Sequence, residues 1–176
     1  METTTNGHNW RNLPASEYET LLPWMKFVHR NNMSMVNSVL ITFGVLGTVL
    51  LVLCLAKGGL EGFLETIWAF IFLAVIIFFA SLLAADYRRN MKAFLNSNCQ
   101  VMDVTVLGKV IGPAKRSRYY ALQLSGMNRD LRVYKKIYNN VSTGDRGYII
   151  RFNSRILMKI LVEREIFLPS GLYEGR

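Results

Sequence analysis

Thr66–Ala85 reads TIWAFIFLAVIIFFASLLAA, 20 residues without a charge and with only Thr66 and Ser81 to interrupt the apolar run. Met35–Ala56, MVNSVLITFGVLGTVLLVLCLA, is a second uncharged run of 22 residues. A bilayer core about 30 Å thick is crossed by roughly 20 helical residues rising about 1.5 Å each. Both runs have that length. The competing reading is a pair of core helices in a soluble bundle, but these carry a polar stripe at helical spacing, and the second run has none. The sequence therefore predicts a transmembrane helical hairpin, with spans at about residues 35–56 and 64–86.

The flanks give an orientation. Lys57–Glu65, KGGLEGFLE, is too short for a domain and reads as a tight turn with net charge −1. Lys26 and Arg30 precede the first span, and Arg88, Arg89 and Lys92 follow the second. Flanking Lys and Arg mark the cytoplasmic side, so the expectation is a multi-pass plasma-membrane protein with both termini cytoplasmic. Trp68 at one end and Trp24 and Tyr87 at the other fit an aromatic belt. No Asp, Glu, Lys, Arg or His lies deep in either span, which argues against an ion or proton path. Gly44, Gly47 and Thr48 are small enough for close helix contact, first of all between the two spans.

The 176 residues are 51% hydrophobic yet carry a net charge of +9, with a mean hydropathy of +0.21. Disordered basic tails are too polar to match that, and two Cys do not make a disulfide scaffold. The charge is localised. Residues 1–34 hold three cations and three anions, and residues 35–85 have net charge −1. Residues 86–176 hold 17 Lys and Arg against 7 Asp and Glu. The basic character belongs to the part after the second span.

Residues 1–34 read as a polar, mobile start followed by an interfacial helix. Ser16 and Glu19 have capping-box spacing, and Leu21, Leu22, Trp24, Met25, Phe27 and Val28 mix with Lys26, His29 and Arg30. Pro23 is expected to kink or restart that helix. The alternative is a helix packed on the C-terminal domain. Residues 35–95 form the hairpin and its helical extension. Residues 96–165 read as a small antiparallel β-barrel or sandwich of about five strands, which makes the whole an α+β membrane protein. The expected strands are Gln100–Ile111, Arg118–Ser125 and Asp130–Tyr138, then a hairpin of Tyr148–Phe152 and Arg155–Val162 around Asn153-Ser154. Residues 166–176 read as a tail.

Tyr138-Asn139-Asn140-Val141-Ser142-Thr143-Gly144-Asp145-Arg146-Gly147 has the form Y-x-x-V-x-x-G-D-x-G. With Tyr119, Tyr120, Arg132 and Val133 before it, it resembles small β-domains of unknown function in uncharacterised membrane-anchored bacterial proteins. That resemblance covers residues 99–162. It implies an architecture, with the element closing a loop between two strands, and no activity. Gly144 and Asp145 read as turn formers.

Motifs for chemistry are missing. No His follows residue 29, and there is no CxxC, HExxH, GxSxG or GxxxxGK[ST]. The expectation is a non-enzyme without a catalytic, cofactor or metal site. The candidate binding residues are instead basic: Arg88, Arg89 and Lys92 at the membrane exit, Lys115, Arg116 and Arg118 in GPAKRSRYY, and Lys135 and Lys136. Beside a membrane such cations favour the anionic lipid of the inner leaflet. A protein partner or a second copy are further expected partners, and single-stranded nucleic acid is the less favoured one. The expected role is to present a basic cytoplasmic β-domain to lipid or protein. The alternatives are a subunit of a larger transport or secretion assembly and, behind it, a membrane-tethered enzyme.

Overall fold

The computed structural model describes residues 10–56, 60–112, 119–152 and 165–171. In chain order these are β1 (Arg11–Asn12), α1 (Ala15–Ala56), α2 (Leu60–Leu95), β2 (Gln100–Gly112), β3 (Tyr119–Leu124), β4 (Leu131–Val133), α3 (Lys135–Asn140), β5 (Arg146–Arg151) and β6 (Glu165–Pro169). Residues up to Val28 and from Asn90 onward make one unit, and His29–Arg89 the other.

In the His29–Arg89 unit, α1 and α2 run antiparallel. Val36 packs with Ala80 and Ala84, a Cβ on Gly47 would fall 2.6 Å from Leu73 Cδ2, and Cys54 Sγ lies 2.9 Å from Thr66 Oγ1. Gly47 therefore serves contact between the two helices, whereas a Cβ on Gly44 meets nothing. The rest of the apolar surface stays uncovered. Only 6% of the most apolar stretch of α1, and 17% of that of α2, is buried. Ile41, Val52, Leu55, Trp68, Phe72 and Phe78 are each more than half exposed. Burial in a soluble core does not account for helices of this length and composition.

The other unit is a curled antiparallel half-barrel with strand order β4-β3-β2-β5-β6, with β1 also on β2. β2 belongs to both halves. Its Gln100–Thr105 part pairs with β5, and Val106–Gly112 pairs with β3. Register shifts between Val106 and Gly108, a bulge at the exposed Leu107 that turns the strand from one set of partners to the other. Met102, Val104 and Val106 are buried, in keeping with period-two alternation.

Several elements differ from the sequence reading. Arg11–Asn12 is a strand paired with Gln100–Val101, within a segment read as mobile. α1 starts at Ala15, where the Pro14 carbonyl accepts from the N–H groups of Glu17 and Tyr18, so Ser16 lies inside the first turn. Pro23 does not interrupt α1, because Pro23 and Glu19, whose carbonyl loses its helical donor, are both exposed to solvent. Leu21, Trp24, Met25 and Val28, read as facing the membrane interface, sit in the core of the half-barrel unit with Phe94, Val101, Ile150 and Phe167. Trp24 Nε1 donates to the Gly171 carbonyl at 2.9 Å.

The expected strand Asp130–Tyr138 is only three residues, Leu131–Val133, before α3. Tyr134, Ile137, Tyr138 and Val141 have i, i+3, i+4, i+7 spacing, and Ile137 and Val141 are buried. That helical pattern overlaps the end of an alternating one. β5 pairs with β6, which lies partly in the supposed tail; Phe167 and Leu168 are buried. The expected strand Arg155–Val162 and its Asn153-Ser154 turn lie outside the described residues.

Candidate functional site

The expected basic residues fall into three groups. Arg88, Arg89 and Lys92 are exposed on α2, with Arg88 and Lys92 one helical turn apart. Lys135 is exposed at the start of α3, and Lys136 beside it holds its ammonium 5.4 Å from the ring centre of Phe27. Lys115, Arg116 and Arg118 lie outside the described residues.

Other cations of this unit are engaged in holding the fold. Lys109 Nζ donates to the Val141 carbonyl at 2.7 Å and sits 4.3 Å from the ring centre of Tyr138, so it ties β2 to the end of α3. The Arg132 guanidinium lies 4.8 Å from the Tyr119 ring centre. Arg11 bonds Asp103 on β2 at 3.0 Å and Glu17 on α1 at 2.9 Å, fastening β1 between them. The bond from Arg11 holds the Asp103 carboxyl below the usual carboxylate range, against a smaller opposing effect of burial.

The Y-x-x-V-x-x-G-D-x-G element is a loop clamped onto β2. Asp145 Oδ2 accepts from the Ser142 N–H at 2.7 Å, and Gly144 has φ of 96°. The Gly144 N–H donates to the Val106 carbonyl at 2.8 Å, while the Val106 N–H donates to the Asp145 carbonyl at 2.9 Å. Asp145 and Gly144 thus form a turn, as their residue types suggest. Gly147 is where β6 passes: a Cβ there would lie 2.4 Å from Phe167 Cε2 and 2.8 Å from the Leu168 carbonyl oxygen.

One arrangement was not foreseen. Trp10, Met102, Met127, Arg129, Arg151 and Glu165 line a cleft of about 310 Å³. Arg151 lies 4.0 Å from the Trp10 ring centre and donates to Glu165 Oε1 through Nε at 3.2 Å and through a terminal nitrogen. Arg129 donates to Glu165 Oε2 at 3.2 Å. Burial alone would raise the Glu165 pKa, but the bonds from Arg151 and Arg129 outweigh it and hold the carboxyl below the usual range. These residues come from five separate places in the chain, and their spacing has no motif. A lone Trp10 in a polar stretch is the only signal in the sequence.

Burial pushes the Cys99 thiol up to about 11, which keeps it protonated near neutrality. Among the described residues no three His, Cys, Asp or Glu side chains are grouped to hold a metal ion. Comparison with known proteins found no matching family model, no matching curated protein and no matching solved structure.

Proposed function

We propose that this chain is a two-span plasma-membrane protein that holds a basic β-domain at the cytoplasmic face and binds anionic lipid there. The observation that carries the reading is the uncovered apolar surface of α1 and α2. Such a surface has bilayer length and composition, and exposed Arg88, Arg89 and Lys92 stand at one end of it. The pairing of β1 with β2 supports the hairpin topology. It joins the chain before α1 to the chain after α2, which is what an even number of crossings with both flanks on one side requires. With each cation worth about 1 kcal/mol beside an anionic leaflet, the three exit residues contribute roughly 3 kcal/mol.

The role is binding rather than catalysis. Cys99 is buried and protonated, and the Asp103 and Glu165 carboxylates are held by arginines. The test uses the full chain, because the half-barrel core takes residues from α1. The protein should stay in the pellet on alkaline carbonate extraction. When purified from mixed-lipid nanodiscs it should retain anionic over neutral lipid, with the excess lost at high salt and in an Arg88→Gln/Arg89→Gln/Lys92→Gln variant. Release by carbonate would overturn the membrane reading. Equal retention of the two lipids would overturn the electrostatic one.

A further inference from the structure

The Trp10–Arg129–Arg151 cleft has the properties of a small binding site. Its volume of about 310 Å³ is at the lower end of the range of about 300–1,000 Å³ typical of small-molecule sites. Glu165 is the least exposed member, with its side chain 11% exposed, while those of Arg151 and Arg129 are 40% and 69% exposed. The carboxylate therefore lies beneath and the two guanidinium forks lie outward. Each fork has five N–H donors. Among the described residues Arg129 gives one hydrogen bond and Arg151 two, all to Glu165, which leaves donors on both.

Two guanidinium groups against one carboxylate give the cluster a net positive charge. Stacking on Trp10 and bonding through two nitrogens fix the plane of the Arg151 fork, so little ordering is needed when a second anion arrives. Beside the forks, Met102, Met127 and the indole of Trp10 supply apolar surface. Thioether side chains adapt to varied apolar shapes.

We propose that this cleft binds a small amphiphilic anion, with its phosphate or carboxylate on Arg129 and Arg151 and its apolar stem along Met102, Met127 and Trp10. Guanidinium forks match the paired oxygens of either group. The anion has two conceivable sources, a soluble phosphate ester or organic acid and the headgroup of an anionic lipid. The site lies wholly within the half-barrel unit, so it stands or falls apart from membrane insertion and from the α2 cations.

The experiment titrates the full chain in neutral-lipid nanodiscs with hexyl phosphate and follows tryptophan fluorescence. Saturable binding is expected, accompanied by a signal change that disappears in Trp10→Phe. Arg129→Gln, at an exposed position that leaves folding intact by thermal melting, should weaken binding about tenfold or more. Arg132→Gln on β4 should bind as the wild type does, and hexyltrimethylammonium, with the same stem and the opposite charge, should not bind. A second arm adds phosphatidic acid to the nanodiscs. Competition with hexyl phosphate identifies the headgroup as the source, and lack of competition the soluble anion; both outcomes uphold the site. Absence of saturation by about 10 mM, a Kd limit already weaker than ordinary metabolite binding, would overturn it. So would an Arg129→Gln variant that binds like the wild type.

Discussion

Gly147→Ala tests how tightly β5 and β6 close the half-barrel. The φ of Gly147 is not in the left-handed region, so the added methyl acts by volume alone. It would sit 2.4 and 2.5 Å from Phe167 Cε2 and Cζ and 2.8 Å from the Leu168 carbonyl oxygen. Ordinary carbon contacts lie at about 3.5–4.0 Å, so the neighbours must retreat by about 1 Å. The Phe167 ring is buried at 1% exposure and cannot swing into solvent. The Leu168 oxygen belongs to the backbone of β6, in the register that pairs Gly147 with Pro169 and Tyr148 with Leu168. Overpacking of this kind costs about 1–3 kcal/mol, and with a backbone atom among the contacts we expect about 2–3 kcal/mol. For a unit of roughly 100 residues that lowers Tm by roughly 10–20 °C, read from tryptophan fluorescence of the full chain in detergent. Phe167→Leu shortens the side chain on the crowded side. The double variant should therefore lose less than the sum of the two single ones, by about 0.5 kcal/mol or more. A Gly147→Ala protein melting within about 2 °C of wild type would refute the packing described for this strand pair.

Two further outcomes follow from the same unit. Trp24→Phe removes the hydrogen bond to Gly171 and part of a fully buried ring system, and should lower stability by about 2 kcal/mol in the same melting assay; no change would mean that residues 21–28 do not belong to the core. The Glu165 carboxyl is held below its ordinary range in the folded protein, so its contribution is present above the unfolded pKa of about 4.3 and is lost as pH falls through the folded value. Melting temperatures followed from about pH 6 down to about pH 3 should fall in wild type and fall less in Glu165→Gln, and parallel slopes would refute the linkage.

The half-barrel unit draws on both ends of the helical hairpin. β1 and the first part of α1 precede the apolar segments, while β2 through β6 follow them. Phe94 stacks on Tyr18 with ring centres 5.3 Å apart, and both belong to this unit although 76 residues of chain separate them. A fragment starting after the second apolar segment would lack Leu21, Trp24 and Val28 and would leave the apolar residues they cover open to water. Folding of the β-domain is therefore coupled to the placement of both flanks. The long loop this closes carries an entropic cost that grows only slowly with its length.

What could be read from the sequence alone was whatever depends on neighbours in the chain. The length and charge of Met35–Ala56 and Thr66–Ala85 are local properties, and so is the alternation of Met102, Val104 and Val106 on β2. Glycine at 144 with aspartate at 145 specifies a turn through its own backbone bonds. The tertiary structure alone decided the features built from distant residues. Whether Trp24 faces lipid or a protein core depends on Gly171 and the sheet, because an amphipathic face looks the same for either partner. The eight residues from Tyr134 to Val141 fit two periods at once, and burial of Ile137 and Val141 selects the helix. Trp10, Arg129, Arg151 and Glu165 become a cleft only when the β3–β4 turn, β5, β6 and the residue before β1 are brought to one place. Electrostatic and packing forces act through space, and chain order records only the fraction of those contacts that are also close in sequence.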